Sequence, residues 1–116
     1  MADKLILGQH FIYKDNNQDL RCFRMNEFSD EDLLKYTDYI KTAIQLGLPD
    51  IIAHPDLYML SREKFGITER KIAEMICEAA EKYQIPLEIN LEQPYLYLVD
   101  MIDKISYPCK EFCKEI

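Results

Sequence analysis

Three short apolar runs, each ended by a breaker or a polar cluster, constrain this chain more than any other feature. Leu5–Ile12, Asp50–His54 and Ile85–Asn90 follow one another at intervals of about 35–45 residues, with helical periodicity between them. Runs of this length read as buried strands. Strands separated by a helix-sized interval are joined by right-handed crossovers and lie parallel in one sheet. The expected fold class is therefore α/β, with about three parallel strands near 5–12, 50–54 and 86–90. They alternate with helices expected near 30–46, 68–83, 95–104 and 109–116. The middle strand is the organising one: Asp50-Ile51-Ile52-Ala53 runs into His54, and Pro55 stops it.

The helices carry their own punctuation. Ser29 is a good N-cap, and Asp30, Glu31 and Asp32 fill the first turn, where the helix dipole favours carboxylates. Leu33, Tyr36, Ile40, Ala43 and Ile44 recur on one face, and Gly47 supplies a left-handed stop before Leu48-Pro49. A helical turn is expected between Leu57 and Phe65. Thr68 is the expected cap of the next long helix, with Ile72, Ile76, Ala79, Ala80 and Tyr83 as its buried stripe and Met75 and Cys77 flanking it. Pro86 fits a strand only at its first position or at an edge. Leu87 and Ile89 then face one way, Glu88 and Asn90 the other. Tyr13–Phe28 reads as a long polar connection of the kind used for lids and binding loops.

Composition narrows the function classes. At 116 residues the chain makes one domain with a modest core. A net charge of −7 argues against nucleic acid as a partner, since phosphate contacts need clustered Lys and Arg. No run approaches the ~20 apolar residues that span a bilayer, so no membrane partner is expected. The first residues are too short an apolar run for a signal peptide, and the expected location is cytoplasmic. Cys22, Cys77, Cys109 and Cys113 include one Cys-x3-Cys pair, which lacks the second pair or the nearby histidine of a zinc site. Reduced, structural cysteines are expected.

In a parallel sheet all strand C-termini share one rim. The chain has two histidines, His10 and His54, and both close apolar runs; the third run ends in Glu88-Ile89-Asn90. Taken singly, each has an ordinary explanation: a histidine after a strand packs and hydrogen-bonds, and Glu88 faces solvent. Taken together, two imidazoles and a carboxylate on one edge suit a metal or anion site, with zinc, manganese or iron as the candidate metals. The sequence has no Gly-x-Ser-x-Gly nucleophile motif, phosphate loop or dinucleotide fingerprint, and its three glycines leave little room for one.

Leu7-Gly8-Gln9-His10-Phe11-Ile12, Ile52-Ala53-His54-Pro55-Asp56-Leu57, Leu87-Glu88-Ile89-Asn90 and Tyr107-Pro108 stand in an order and spacing that resemble the polymerase-and-histidinol-phosphatase (PHP) domain. The histidinol-phosphatase branch, which serves histidine biosynthesis, is the most similar part of that family. The resemblance implies a distorted β/α barrel that hydrolyses phosphate esters with a cluster of metal ions at the C-terminal rim. It carries a metal-ligand role onto His10 and His54, and a place at the site's rim onto Glu88, Asn90 and Asp56.

The chain departs from the family at defined places. It has neither the His-x-His motif of the family's first strand nor its closing Asp-x-His pair, and Gln9 and Ala53 replace residues usual there. The expectation is thus the central part of a PHP barrel, as a single partial domain over residues 1–116 with an incomplete metal site. Arg21 and Arg24 in the polar connection are the candidates for phosphate oxygens; as solvated loop charges they would have no such role. A small phosphorylated substrate is implied. Open strand edges point to a homo-oligomer, a complementing chain, or a longer gene product. Two functions follow: a histidinol-phosphatase-like phosphoesterase, incomplete or inactive as this chain alone, and a non-catalytic module acting through protein association.

Overall fold

A computed structural model describes residues 4–13, 19–21, 29–62, 64–90, 99 and 109–113. The elements in order are β1 (Ile6–Gly8), β2 (Phe11–Tyr13), β3 (Asp19–Arg21), α1 (Asp30–Gln45), β4 (Ile51–Ala53), a 3-10 turn (Leu57–Ser61), α2 (Ile67–Tyr83) and α3 (Lys110–Cys113). The chain is mixed α/β. β1 and β4 pair in parallel with Leu7 opposite Ile52 and Gly8 opposite Ala53, while β2 and β3 form a separate antiparallel pair.

The parallel pair is fixed at its N-terminal end by Asp50. Its backbone N–H donates to Leu5 O at 2.7 Å, and its carboxylate accepts Leu5 N–H at 2.7 Å. On the far side of β4, Ile52 N–H donates to Pro86 O at 3.0 Å and accepts in return from Glu88 N–H at 2.9 Å through its carbonyl. This makes Leu87 a single parallel bridge to Ile52. The third strand expected near 86–90 is therefore reduced to that bridge. Pro86 has no N–H to give to a ladder, and Ile89 lies 54% exposed, so burial gives the segment nothing to extend it.

α1 is closed at both ends by its own sequence. Ser29 Oγ accepts Asp32 N–H at 3.1 Å while the Asp32 carboxylate accepts Ser29 N–H at 3.0 Å, a reciprocal capping box. At the other end Gly47 takes φ +70°, and the N–H groups of Gly47 and Leu48 return to Ile44 O and Ala43 O at 3.0 and 3.2 Å, a Schellman stop. Leu33, Tyr36, Ile40 and Ile44 are buried as the spacing requires, and Ala43 sits at the margin.

α2 starts one residue before Thr68. Its cap is Gly66, which has no side chain to accept from the first turn; its own N–H donates to Glu69 Oε1 at 2.9 Å. Ile72, Ala73, Ile76, Ala79 and Ala80 are buried, whereas Tyr83 is 41% exposed and drops out of the stripe.

The core gathers these faces with Ile12, Ile52, Leu57, Tyr58 and Phe112. Each Leu or Ile so buried stabilises the fold by roughly 1.5–3 kcal/mol over leaving it exposed. Two buried tyrosines lace the strand end to the helices: Tyr36 Oη donates to Pro55 O and Tyr58 Oη to Glu69 O, each at 3.0 Å, and their rings meet edge to face. No helix among the described residues is long and apolar enough to cross a membrane. The helix expected near 95–104, Val99 apart, lies outside the described residues, as do residues 114–116 of the last helix.

Candidate functional site

Parallel pairing of β1 with β4 brings their C-terminal ends to one edge. β1 ends at Gly8 and β4 at Ala53, so His10 and His54 follow the two strand ends. Their rings meet edge to face, with centroids 5.0 Å apart and planes at 71°. Gly8 lies beneath them. A Cβ there would stand 3.1 Å from His10 Nε2 and 3.2 Å from His54 Cε1. The absent side chain is the space in which the rings converge.

His54 is held in an unusual conformation. Its φ of +29° lies in the left-handed region, uncommon for any residue with a Cβ and further disfavoured before Pro55. Two hydrogen bonds flank it: His54 N–H donates to Glu88 Oε1 at 3.2 Å, and His54 O accepts Leu57 N–H at 3.0 Å. Asn90 Nδ2 donates to the same Glu88 oxygen at 3.1 Å. Glu88 and Asn90 thus share one side of their segment, and His10, His54, Glu88 and Asn90 form one contiguous group.

Asp56 belongs elsewhere. Its carboxylate is 2% exposed and accepts the backbone N–H of Cys109, tying the chain just after β4 to the start of α3. Burial pushes the Asp56 carboxyl above its ordinary range, partly offset by that hydrogen bond. This carboxylate is a structural anchor, whereas Glu88 and Asn90, the other two residues expected at the rim, meet beside His54. Burial also pushes the Cys109 thiol up, to about 11, the behaviour of an inert, reduced cysteine. Arg21 closes β3, an element hidden in the polar connection, and Arg24 lies outside the described residues.

Electrostatics suit the imidazole pair to ligation. Partial burial and then the neighbouring His54 lower the pKa of His10, which favours the neutral ring with its lone pair. Two imidazoles on one tetrahedral ion, at metal–nitrogen distances of about 2.0–2.1 Å, place their ring centroids about 5 Å apart. The observed 5.0 Å fits, and the Gly8 cradle leaves room for it. The described residues hold no group of three or more His, Cys, Asp or Glu side chains able to share an ion, so the pair is a partial donor set. An open groove of about 620 Å³ lies along the end of α2, lined by Cys77, Glu81, Gln84 and Leu87 among others; it has neither histidine.

Comparison with models of known families, with curated proteins and with solved structures finds no match for this chain.

Sequence reasoning singled out the two histidines and the Glu88–Asn90 segment, which lie together here. It missed Gly8, whose signal was its place two residues before His10 on an edge where a backbone must pass under two rings.

Proposed function

We propose that this chain is a metal-binding module of the PHP type, histidinol-phosphatase-like, in which His10 and His54 hold one divalent cation at the rim. Zinc, manganese and iron suit the imidazole donors. The observation that carries this reading is the meeting of the two histidines at 5.0 Å across Gly8. A cation held there would either polarise a phosphate oxygen or lower the pKa of a water so that its hydroxide form can attack phosphorus, and a second ion would be needed for both. The chain's own groups do the rest. His10 presents a neutral ring, Gly8 leaves the space between the rings open, and Glu88 with Asn90 fixes the backbone from which His54 projects. Arg21 and Arg24 are the candidate cations for the oxygens of a small phosphorylated substrate.

A second reading rests on the partial donor set among the described residues. There the chain binds a cation without turnover, and remaining ligands come from solvent or an associating chain. Assays on p-nitrophenyl phosphate and histidinol phosphate with manganese or zinc, beside His54→Ala, separate the two. Metal-dependent turnover abolished by His54→Ala supports the phosphoesterase. Metal bound without turnover supports the non-catalytic module. A wild-type chain that binds neither metal by calorimetry counts against the phosphoesterase and leaves protein association alone as the module's role.

A further inference from the structure

We infer that Glu88 is a positioning residue: its carboxylate holds His54 in the left-handed backbone conformation that aims one imidazole at the other. The inference rests on the reading that this pair takes a cation, and deepens it by naming what organises the pair beforehand.

A residue with a Cβ at φ +29°, placed before a proline, reverts to extended backbone unless neighbouring groups over-determine it. The structure shows what does so. The loop after β4 fixes the His54 carbonyl through Leu57 N–H, and Glu88 fixes the amide on the other side. Glu88 is well placed because its own backbone is locked to β4, by Glu88 N–H to Ile52 O and Ile52 N–H to Pro86 O. Its side chain therefore reaches past the end of β4 from a fixed height.

Asn90, two residues on, donates to the same oxygen and sets the plane of the carboxylate. That oxygen is thus occupied by one backbone and one amide donor, both charge-assisted bonds. Glu88 Oε1 acts on the site through His54. The single Leu87 bridge also gains a purpose: it delivers Glu88 to the neighbouring strand end.

The test compares Glu88→Gln, which keeps an acceptor oxygen at the same reach, with Glu88→Ala, which removes it. Two readouts are taken: the nuclear Overhauser contact between the His10 and His54 rings in metal-free protein, and zinc affinity by calorimetry. Glu88→Ala is expected to lose the ring contact and to weaken zinc by about 10–100-fold, the usual cost of losing an outer-shell support. Glu88→Gln is expected to retain the contact and most of the affinity.

Ring contact and affinity unchanged in Glu88→Ala overturn the inference, as does a Glu88→Gln variant that loses as much as the alanine. Should the alanine variant fail to fold, Asn90→Ala takes its place, since it unseats the carboxylate without removing it. A weakened ring contact then supports the inference, and an unchanged one overturns it. A wild-type chain that binds no zinc, but whose metal-free ring contact still depends on Glu88, defeats the cation reading and leaves the positioning role standing.

Discussion

Gly8 is the residue on which the rim depends most directly. Its φ is not left-handed, so alanine suits its backbone, and Gly→Ala at a compatible position raises stability by about 0.4–1 kcal/mol. A methyl group there, however, meets His10 Nε2 at 3.1 Å and His54 Cε1 at 3.2 Å, and the rings must part by a few tenths of an ångström. Gly8→Ala is therefore expected to weaken zinc binding about tenfold while its melting temperature holds or rises. Paired calorimetry and thermal denaturation check this; loss of both properties together would mean that Gly8 matters to the fold and not to the site. At this scale the histidines were legible because strand ends in a parallel sheet share an edge. Asp56 was not, because its partner is the Cys109 backbone 53 residues away, and nothing local to Asp56 announces it.

Among the elements, α1 was the most legible, since both of its ends are written in adjacent residues. Ser29→Ala breaks the capping box and is expected to cost about 1 kcal/mol, or a drop of about 4 °C in melting temperature for a domain this size. Asp32→Ala removes the reciprocal bond, and the double variant is expected to lose less than the sum, because the two bonds support one another. The β2–β3 pair was illegible for the opposite reason. Asp19-Leu20-Arg21 has one apolar residue, and its strand character comes from pairing with Phe11–Tyr13 across a polar connection. The run from Leu5 to Ile12 also divides at Gln9-His10, so what reads as one strand is two elements in different sheets. Thr68 misled because the helix opens earlier, on Gly66, whose N–H is taken by the Glu69 carboxylate.

For the whole molecule, the α/β class and the parallel pairing followed from the spacing of the apolar runs, whereas a barrel of about three strands did not emerge from the described residues. Within them the parallel sheet has β1 at its edge, where Leu5 is 54% and Ile6 63% exposed. Leu46 and Leu48, at the end of α1 where the chain turns towards Asp50, are 67% and 57% exposed. A second copy laid along β1 would cover this apolar edge and extend the ladder. Light scattering is expected to show a concentration-dependent dimer, and Ile6→Lys to return it to monomer. A wild-type chain that stays monomeric at high concentration counts against this arrangement.

Three long-range ties that hold β4 and the loop after it also set when the rim can exist. Leu5 meets Asp50 across 45 residues, His54 meets Glu88 across 34, and Asp56 meets Cys109 across 53. Each such closure spends chain entropy before its contacts return anything, whereas α1 and α2 grow from neighbours in sequence. The imidazole pair is therefore expected to come together late in folding, after the helices. In a refolding experiment, the first zinc bound would mark the last stage of the chain's assembly.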